Sequence, residues 1–459
     1  MNGFSVVCRH EWRRIRRDRA LIVLVLMFAG ISLYAAWNGG TWQRERNVAI
    51  ERIQEQEQKF RDERRSARPQ VERTVGQVVA SVWYHPTLPP APLTALSIGQ
   101  AEGYPYDAKF HVMTPAHGIF NAMGGHLENP ETQVAQFDLA FVIVFLLPLF
   151  LLAGNYDLWT QERDAGTAAF LLSHPLSLGV VFAAKALVRG GTLLLCLMVT
   201  VSIALWATNA GEAEAGTLVA LWVVVTLYGM FWIVLALAVN VLTRRSTEAA
   251  VACGAGWLGV VVLWPALLAA GVDLVRPAPS HAEHVHTLRM MALEFKEQRE
   301  AMPALQTENW ERDRESYARA EIRELQSTEQ AYASVVQGFE NAYAARRQLG
   351  DILRYLSPAV IAQDALDRLA GTDADRALAF QVQARDFLRQ LRRLAFPYLA
   401  GERTGEPQSD TASLPEFVFR EPAADVTWQP LLRDLIVLLT FSLIPLMWIR
   451  HRLEGERGD

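Results

Sequence analysis

Long apolar stretches alternate with strongly charged stretches along this chain. Several apolar stretches contain about 18 or more nearly uncharged residues, which is enough for a helix to cross a bilayer. The six predicted spans are residues 20–37, 137–153, 180–206, 217–242, 249–275 and 431–449. The pattern therefore predicts an all-α integral membrane protein with six transmembrane helices, rather than a protein with a globular core.

The basic start of the chain, followed by an apolar run, also has the layout of a secretory signal peptide. However, Tyr-Ala-Ala-Trp at residues 34–37 is a poor small-residue cleavage site, and the run approaches spanning length. We therefore expect a retained first span.

Arginines set the predicted orientation, because Lys and Arg in short loops favour the cytoplasm. They concentrate before the first span, between the fourth and fifth spans and after the sixth, whereas residues 208–216 carry two glutamates and no basic residue. Both termini are therefore predicted to be cytoplasmic. The predicted cytoplasmic segments are 1–19, 154–179 and 450–459, and the predicted outside segments are 38–136 and 276–430.

The two outside segments differ in composition. The first continues the first span as a charged helix, Gln43 to Glu72, and then becomes rich in Pro and Gly, which break regular structure. The second is mainly helical, and apolar residues recur at spacings of three, four and seven along one long helix. These residues are Leu325, Tyr332, Val336, Phe339 and Tyr343. We expect one largely helical extracytoplasmic domain built from both segments.

Local signals predict where the helices of the second outside segment begin and end. Gly350 is expected to stop the long helix. Ser357 before Pro358 is a typical N-cap and first helical position, Gly371 is expected to end that helix, and Asp373 after Thr372 is expected to cap another.

Composition and motifs exclude several classes of function. The net charge of -5 and the absence of a basic stripe with interleaved aromatics argue against nucleic acid as a partner. None of the four lysines is preceded by Gly or followed by Ser or Thr, so a Gly-Lys-Ser/Thr phosphate loop is absent. His-Glu-x-x-His and Gly-x-Ser-x-Gly hydrolase motifs are also absent. We therefore predict no catalytic residue, and the three cysteines suggest no disulfide framework.

Two groups of histidines leave a metal site open as an alternative. The first group is His281, His284 and His286, and the second is His111, His117 and His126. Imidazoles three residues apart on a helix can share zinc or copper. No Cys or Met pattern completes the ligand set, and Pro277 and Pro279 disfavour helix there. Polar surface histidines are the favoured interpretation, and no metal ligand is predicted.

Few charges lie inside the predicted spans. Lys185 and Arg189 lie near the start of the third span, where long side chains can extend to the interface. Asp138 and Asp434 lie near the outer ends of their spans. No series of charges crosses the bilayer, which disfavours an ion-coupled transporter. The prolines expected to kink their helices are Pro148, Pro265 and Pro445.

A charged segment lies between the second and third spans, where a short polar turn is usual. It begins with Gln161-Glu162-Arg163-Asp164-Ala165-Gly166-Thr167 and continues to Ser177. Gly166 can supply a bend, and the charged cluster can contact a soluble partner. We interpret the segment as an elbow on which something outside the membrane acts. A solvated interfacial loop is the alternative.

This elbow resembles that of permease subunits of ATP-binding-cassette exporters of the ABC-2 class. Those subunits carry an acidic-basic-acidic cluster, then Gly-Thr, then a leucine-rich turn with Ser-x-Pro. The matching residues are Glu162, Arg163, Asp164, Gly166, Thr167, Leu171, Leu172, Ser173 and Pro175, with Lys185 at the usual basic position. The six-span layout and the basic amphipathic lead-in at Glu11-Trp12 are also similar to that class. Residues 357–373 resemble a segment found in a bacterial subgroup with large outside insertions, whereas residues 177–179 lack the basic residue that usually follows the proline.

The resemblance implies a type V exporter-like fold and a function. A separate cytoplasmic ATPase dimer would bind ATP and Mg, so this chain itself would need no cofactor. The dimer would hold the elbow and the lead-in helix, and a second permease copy or a sister permease would complete the transporter within the lipid of a bacterial inner membrane. The residues implied in coupling are Glu162, Arg163, Asp164, Gly166, Thr167, Leu171, Leu172 and Pro175.

Two other functions remain open. The chain can be a membrane-anchored sensor or assembly factor, in which the outside domain binds a partner. The predicted cytoplasmic ends of about 20 and 10 residues are too short for a folded output module, which disfavours a sensor. Alternatively, an ATPase can drive mechanical work on a periplasmic partner without moving substrate.

Overall fold

The computed structural model describes residues 3–66, 75–120, 137–168, 177–208, 213–300, 314–403 and 414–455. These residues are mainly helical, and their only β structure is two isolated antiparallel bridges, Tyr84 with Phe110 and Thr87 with Asp107. Within the described ranges, six helices are long and apolar enough to cross a membrane, and they coincide with the six predicted spans. The fold is therefore that of an all-α membrane protein.

Helices in the first half of the chain are α1 (Gly3–Ile15), α2 (Arg19–Ser66), α3 (Val75–Ala80), α4 (Leu139–Phe141), α5 (Leu147–Asn155), α6 (Thr160–Asp164), α7 (Leu178–Lys185) and α8 (Gly191–Trp206). Helices in the second half are α9 (Ala215–Leu242), α10 (Ser246–Trp257), α11 (Trp264–Val275), α12 (His281–Glu300), α13 (Arg314–Leu353), α14 (Pro358–Ala370), α15 (Ala374–Leu399) and α16 (Ala424–Gly455). The first span is the start of α2, which continues as one helix beyond the predicted limit at residue 37.

Three spans contain a π-helical turn. These turns are Val142–Leu146 between α4 and α5, Ala186–Gly190 between α7 and α8, and Leu258–Leu263 between α10 and α11. Pro148 and Pro265 lie two residues after the end of two of them, and a proline cannot donate the next hydrogen bond of the helix. The widened turn in the second span has outside donors: Tyr228 Oη donates to the Val144 carbonyl at 2.8 Å, and Trp257 Nε1 donates to the Phe145 carbonyl at 2.9 Å.

The second and fourth spans form the centre of the bundle. In the most apolar part of the second span 67% of residues are buried, against 6% in the fifth span, so the fifth span lies at the periphery. Leu194 of the third span packs where a side chain on Gly229 would collide with it, at 2.6 Å from the position of a Cβ atom. Small residues thus let these helices approach closely.

The second insertion is not wholly separate from the spans. Ile361, Ala365 and Leu366 of α14 are fully buried in the same apolar core as the second, fourth and sixth spans. The remainder of the insertions packs together, since Tyr84 of the first insertion lies in one apolar cluster with Phe387 of α15. Helix α14 therefore joins the insertions to the spans.

Helix ends in the second insertion follow the local signals, with one exception. Ser357 Oγ accepts from the Val360 N–H, Gly371 has a φ of 68° at the end of α14, and the Asp373 side chain accepts from two N–H groups at the start of α15. The prediction that Gly350 stops the long helix is wrong, because α13 continues to Leu353. A glycine inside a helix costs about 1 kcal/mol, which packing readily offsets.

The bundle has two ends, which we name after the segments that form them. We call the end with α1, α6, residues 243–245 and the last turns of α16 the terminal face. We call the end with residues 75–120 and 281–403 the insertion face. An apolar cluster that includes Trp159, Phe182 and Leu453 closes the core at the terminal face.

Candidate functional site

The predicted elbow forms the short helix α6 and the turn that follows it. Glu162, Arg163 and Asp164 lie in α6, and Gly166 and Thr167 lie in the turn. The remaining predicted coupling residues, Leu171, Leu172 and Pro175, lie outside the described residues, as does Ser173.

Two buried asparagines fix α6 against the fourth span. Asn240 Oδ1 accepts from the Trp159 N–H at 3.0 Å, and its Nδ2 donates to the Asn155 carbonyl at 3.2 Å. Asn155 Nδ2 donates to the Leu151 carbonyl one turn earlier. The Asn240 amide thus bonds backbone groups on both sides of the break between α5 and α6. Sequence analysis missed Asn240; a lone amide inside an apolar span was the signal that could have found it.

Glu162 connects three parts of the chain. Its Oε1 lies 2.8 Å from Lys185 Nζ in the third span and 3.4 Å from Arg14 Nη1 in α1. The Thr167 hydroxyl donates to Oε2, and Lys185 Nζ also donates to the Leu158 carbonyl at 3.1 Å. The charge of this carboxylate is therefore used within the chain, on the lead-in helix and the third span.

The side chains of Lys185 and Arg189 end at carboxylates of the predicted cytoplasmic segment 154–179 rather than in solvent. The Lys185 side chain is 6% exposed and paired with Glu162, and Arg189 Nη1 lies 2.9 Å from Asp157 Oδ1. Both cations have acidic partners in the elbow, which lets them remain inside the packed bundle. For each of these two cations, a nearby carboxylate takes the place of water as the partner of the charge.

Arg163 and Asp164 are exposed and bind the connection between the fourth and fifth spans. Arg163 Nη1 donates to the Thr243 carbonyl at 2.9 Å. Asp164 Oδ2 accepts from the Ser246 N–H at 3.0 Å and from its hydroxyl at 2.5 Å. Neighbouring residues of α6 thus contact α1, the third span and the start of the fifth span.

Gly166 ends α6 in a left-handed conformation. Its φ is 71°, and the Thr167 N–H donates to the Glu162 carbonyl at 3.0 Å, which closes the end of the helix. A Cβ at this position would meet no atom within 4 Å, so the requirement for glycine is conformational and not a matter of space. The predicted bend lies at this residue.

The lead-in helix α1 forms part of the same site. It packs against the third span, and Glu11 is buried while Trp12 is exposed. Phe4 and Val6 are also exposed apolar side chains. This distribution is typical of a helix that lies in a membrane interface.

The histidines that the structure describes form no metal-binding group with one another. Within the described part of the chain, no three His, Cys, Asp or Glu side chains are grouped closely enough to hold a metal ion. The His284 ring stacks on Phe339 at 3.9 Å between centroids, and the His117 ring stacks on Tyr332 at 4.1 Å. Burial lowers the pKa of His117. The side chain of His281 and all of His126 lie outside the described residues.

A buried ion cluster lies where α14 meets the sixth span. Asp434 is fully buried, its Oδ1 lies 3.0 Å from Arg354 Nη2, and its Oδ2 lies 3.0 Å from Arg368 Nη1. Arg354 Nη1 also pairs with Asp364 at 2.9 Å. The sequence analysis placed Asp434 near the outer end of its span but identified no partner. This cluster joins the sixth span to α14 by charge as well as by packing.

The helices, the six candidate spans and the bonded elbow define a polytopic all-α membrane protein with a fixed connection between its second and third spans. The model of the family described as ABC-2 family transporter protein matches residues 5–447, so the chain belongs to that family. It is therefore a permease, the membrane subunit of an ABC transporter. Comparison with the curated proteins gives no match.

Proposed function

We propose that this permease is an exporter subunit of a bacterial inner membrane and that a separate cytoplasmic ATPase dimer drives it through the elbow. The terminal face, with both chain ends, would face the cytoplasm. ATP and Mg would bind to the ATPase, and a second permease copy or a sister permease would complete the transporter. Family membership supports the ABC transporter as a whole, and the elbow supports the route of coupling.

The observation that carries the proposal is the set of bonds around α6. A lever transmits force only if its ends are attached to the parts that must move. Helix α6 is bonded to α1 through Arg14, to the third span through Lys185, to the fourth through Asn240 and to the start of the fifth through Ser246. A push on α6 would therefore move four segments together.

The charged cluster would act differently from the sequence-based expectation. Because Glu162, Arg163 and Asp164 already have partners within the chain, they would hold the lever rather than serve chiefly as contacts for the ATPase. The exposed turn at Ala165 and Gly166 would be the surface that the ATPase touches.

The proposal is tested by ATPase activity in a complex purified with its endogenous ATPase in mild detergent. Glu162→Ala and Arg163→Ala should each weaken the link between ATP hydrolysis and transport. Arg163 is exposed, so Arg163→Ala should leave the permease folded and assembled, whereas Glu162→Ala also leaves the buried Lys185 unpaired and should lower stability. Glu214→Ala, an exposed glutamate before the fourth span, is the matched control and should behave as the wild type. Unchanged coupling in both elbow variants would support a membrane anchor instead.

A second candidate is mechanical work on a partner at the insertion face. It is favoured by the connection that α14 makes between the spans and the insertions. In this case ATP hydrolysis would depend on the elbow in the same way, but no substrate would cross the bilayer. Reconstituted vesicles that hydrolyse ATP, lose activity on Glu162→Ala and accumulate nothing would support this candidate.

A further inference from the structure

A pocket at the insertion face lies between the extension of α2, the first insertion and the turn from α14 to α15. Its volume is about 390 Å³, which includes the part that is open to solvent. Its walls include Trp42, Arg46, Pro89, Tyr104 and Arg376. The pocket therefore combines two guanidinium groups with aromatic and proline surfaces.

Arg46 is the cation of this pocket that lacks an acidic partner. Its guanidinium carbon lies 4.0 Å from the centroid of the Tyr106 ring and 5.2 Å from that of Trp42. Among the described residues, it makes no ion pair and no hydrogen bond with a side chain or a carbonyl. Two aromatic faces thus hold this half-buried group, and Arg46 also lines the pocket.

The acids around the pocket are bonded to groups other than Arg46, although Asp107 Oδ1 is buried without a hydrogen-bond partner. The Asp373 carboxylate accepts from two N–H groups at the start of α15, and Glu102 Oε1 accepts from Trp42 Nε1 at 3.1 Å. Asp107 Oδ2 lies 2.9 Å from His85 Nε2. Glu102 and Asp107 lie near enough to act on the charge of Arg46, but their bonds are to Trp42 and His85, and neither forms an ion pair with Arg46.

Arg376, by contrast, has an acidic partner. Its Nε and Nη2 contact both oxygens of Glu421, at 2.9 and 2.7 Å respectively. Its Nη1 donates to the Gly371 carbonyl and its Nη2 to the Pro89 carbonyl. Arg376 therefore shapes the pocket wall, and its charge is neutralised by Glu421.

We propose that this pocket binds a small molecule through an oxyanion group, phosphate or carboxylate, that pairs with Arg46. Guanidinium groups bind such oxyanions through two parallel hydrogen bonds. A planar or apolar part of the ligand would rest on Trp42, Tyr104 and the proline surface. The bound molecule would bridge the extension of α2 and the α14–α15 turn.

The position along α2 favours a soluble ligand over a lipid headgroup. The apolar part of α2 ends near Trp37, and nine residues of helix from there to Arg46 correspond to about 13 Å. The headgroup layer on one side of a bilayer is only about 6 Å thick. Arg46 would thus lie in the aqueous phase, and the site would exist whether or not the elbow couples to an ATPase.

Thermal unfolding of the purified full-length protein in a neutral detergent tests the site. Inorganic phosphate and acetate are titrated at constant ionic strength, with chloride as the balancing ion. We expect a saturable rise in the unfolding temperature, and Arg46→Gln should weaken the apparent affinity by about tenfold or more, as expected for loss of a charged hydrogen-bonded pair. Arg44→Gln, an exposed arginine two residues away on the same helix, is the matched control and should keep the wild-type affinity.

A third variant and a measurement in nanodiscs complete the test. Arg46→Lys keeps the positive charge but lacks the paired N–H donors of the guanidinium group. It should therefore bind the anion more weakly than wild type but more tightly than Arg46→Gln. If Arg46→Gln does not fold, Arg46→Lys takes its place in the comparison. Nanodiscs with and without phosphatidylglycerol identify the source of the oxyanion. Stabilisation by phosphatidylglycerol alone, lost in the Arg46 variants, would support the same contact with a lipid phosphate. Equal responses of wild type, Arg46→Gln and Arg44→Gln to every anion would overturn the proposal.

Discussion

At the scale of single residues, buried charges mark the places where this permease is most sensitive to substitution. Asp434 has no exposure to solvent and is held by two arginines that come from the second insertion. Removal of one partner of a buried ion pair leaves the other charge uncompensated in a poorly solvated site.

Asp434→Asn should therefore destabilise the protein strongly. The expected loss is about 3–5 kcal/mol in the free energy of unfolding, because Arg354 and Arg368 would lose their common carboxylate. Asp425→Asn, an exposed change in the first turn of the same helix, is the control and should cost about 1 kcal/mol or less. The comparison is made by thermal or denaturant unfolding in detergent, and equal losses would contradict the assigned role of the cluster.

A second buried acid, Asp367, should make stability depend on pH. Its side chain is 3% exposed, and burial raises its pKa to about 7, against the lowering effect of hydrogen bonds from Ser97 and Gln363. In the unfolded chain the pKa is about 3.9, so between about pH 4 and pH 7 the folded state binds more protons. The stability contributed by the protonated carboxyl is complete below about pH 4 and is lost as the pH rises through about 7.

Asp367→Asn should reduce this pH dependence. The amide does not ionise, so the loss of roughly 1–4 kcal/mol between about pH 4 and pH 7 should shrink in the variant. Unfolding temperatures measured from pH 5 to pH 8 for both proteins give the comparison. A variant whose stability falls with pH as steeply as that of the wild type would show that Asp367 is ionised throughout.

At the scale of elements, the turn after α6 requires a left-handed backbone conformation at one residue, Gly166. Gly166→Ala should cost about 1–2 kcal/mol locally, because an L-residue is disfavoured in the left-handed region. The main effect should be on coupling, since the end of α6 would be rebuilt. ATPase activity and transport of the purified complex are the measurements.

Gly179 supplies the matched control for this prediction. It lies inside α7, and a Cβ there would also meet no atom within 4 Å. Gly179→Ala should be neutral or slightly stabilising, since alanine is the better helix former. If Gly166→Ala and Gly179→Ala reduce coupling equally, the left-handed conformation at Gly166 is not required for coupling.

The elements themselves were largely predictable from the sequence. Spans depend on apolar length, and the caps at Ser357, Gly371 and Asp373 depend on bonds within three or four residues, so both leave local signals. The place of α14 in the span core was not predictable, because an amphipathic pattern shows that a face is buried but not against which partner. The prediction that the long helix stops at Gly350 failed for a related reason, because packing overrides a local helix breaker.

The other features that could not be predicted from the sequence are contacts between residues far apart along the chain. Asp434 pairs with residues 66 and 80 positions away, and Asn240 bonds residues about as far back along the chain. Nothing in the spacing of these residues indicates that they meet. In the elbow, the residue types were predicted, but their partners within the chain were not.

At the scale of the whole molecule, the fourth span connects the two faces of the bundle. Near one end it carries Asn240, which holds α6, and elsewhere along its length it packs against α14. Movement of the elbow can therefore reach the insertion face through a single rigid helix. The sparsely buried fifth span leaves a long apolar surface for lipid and, in the proposed dimer, for the second permease.

The most direct test of the account asks whether the exposed turn after α6 touches the ATPase. A photo-cross-linking amino acid is placed at Ala165 in that turn, and, as the matched control, at Ala215, which is exposed near the opposite end of the fourth span. The account predicts nucleotide-dependent cross-links from position 165 to the ATPase and none from position 215. Cross-links from position 215, or none from position 165 in a complex that still hydrolyses ATP, would contradict it.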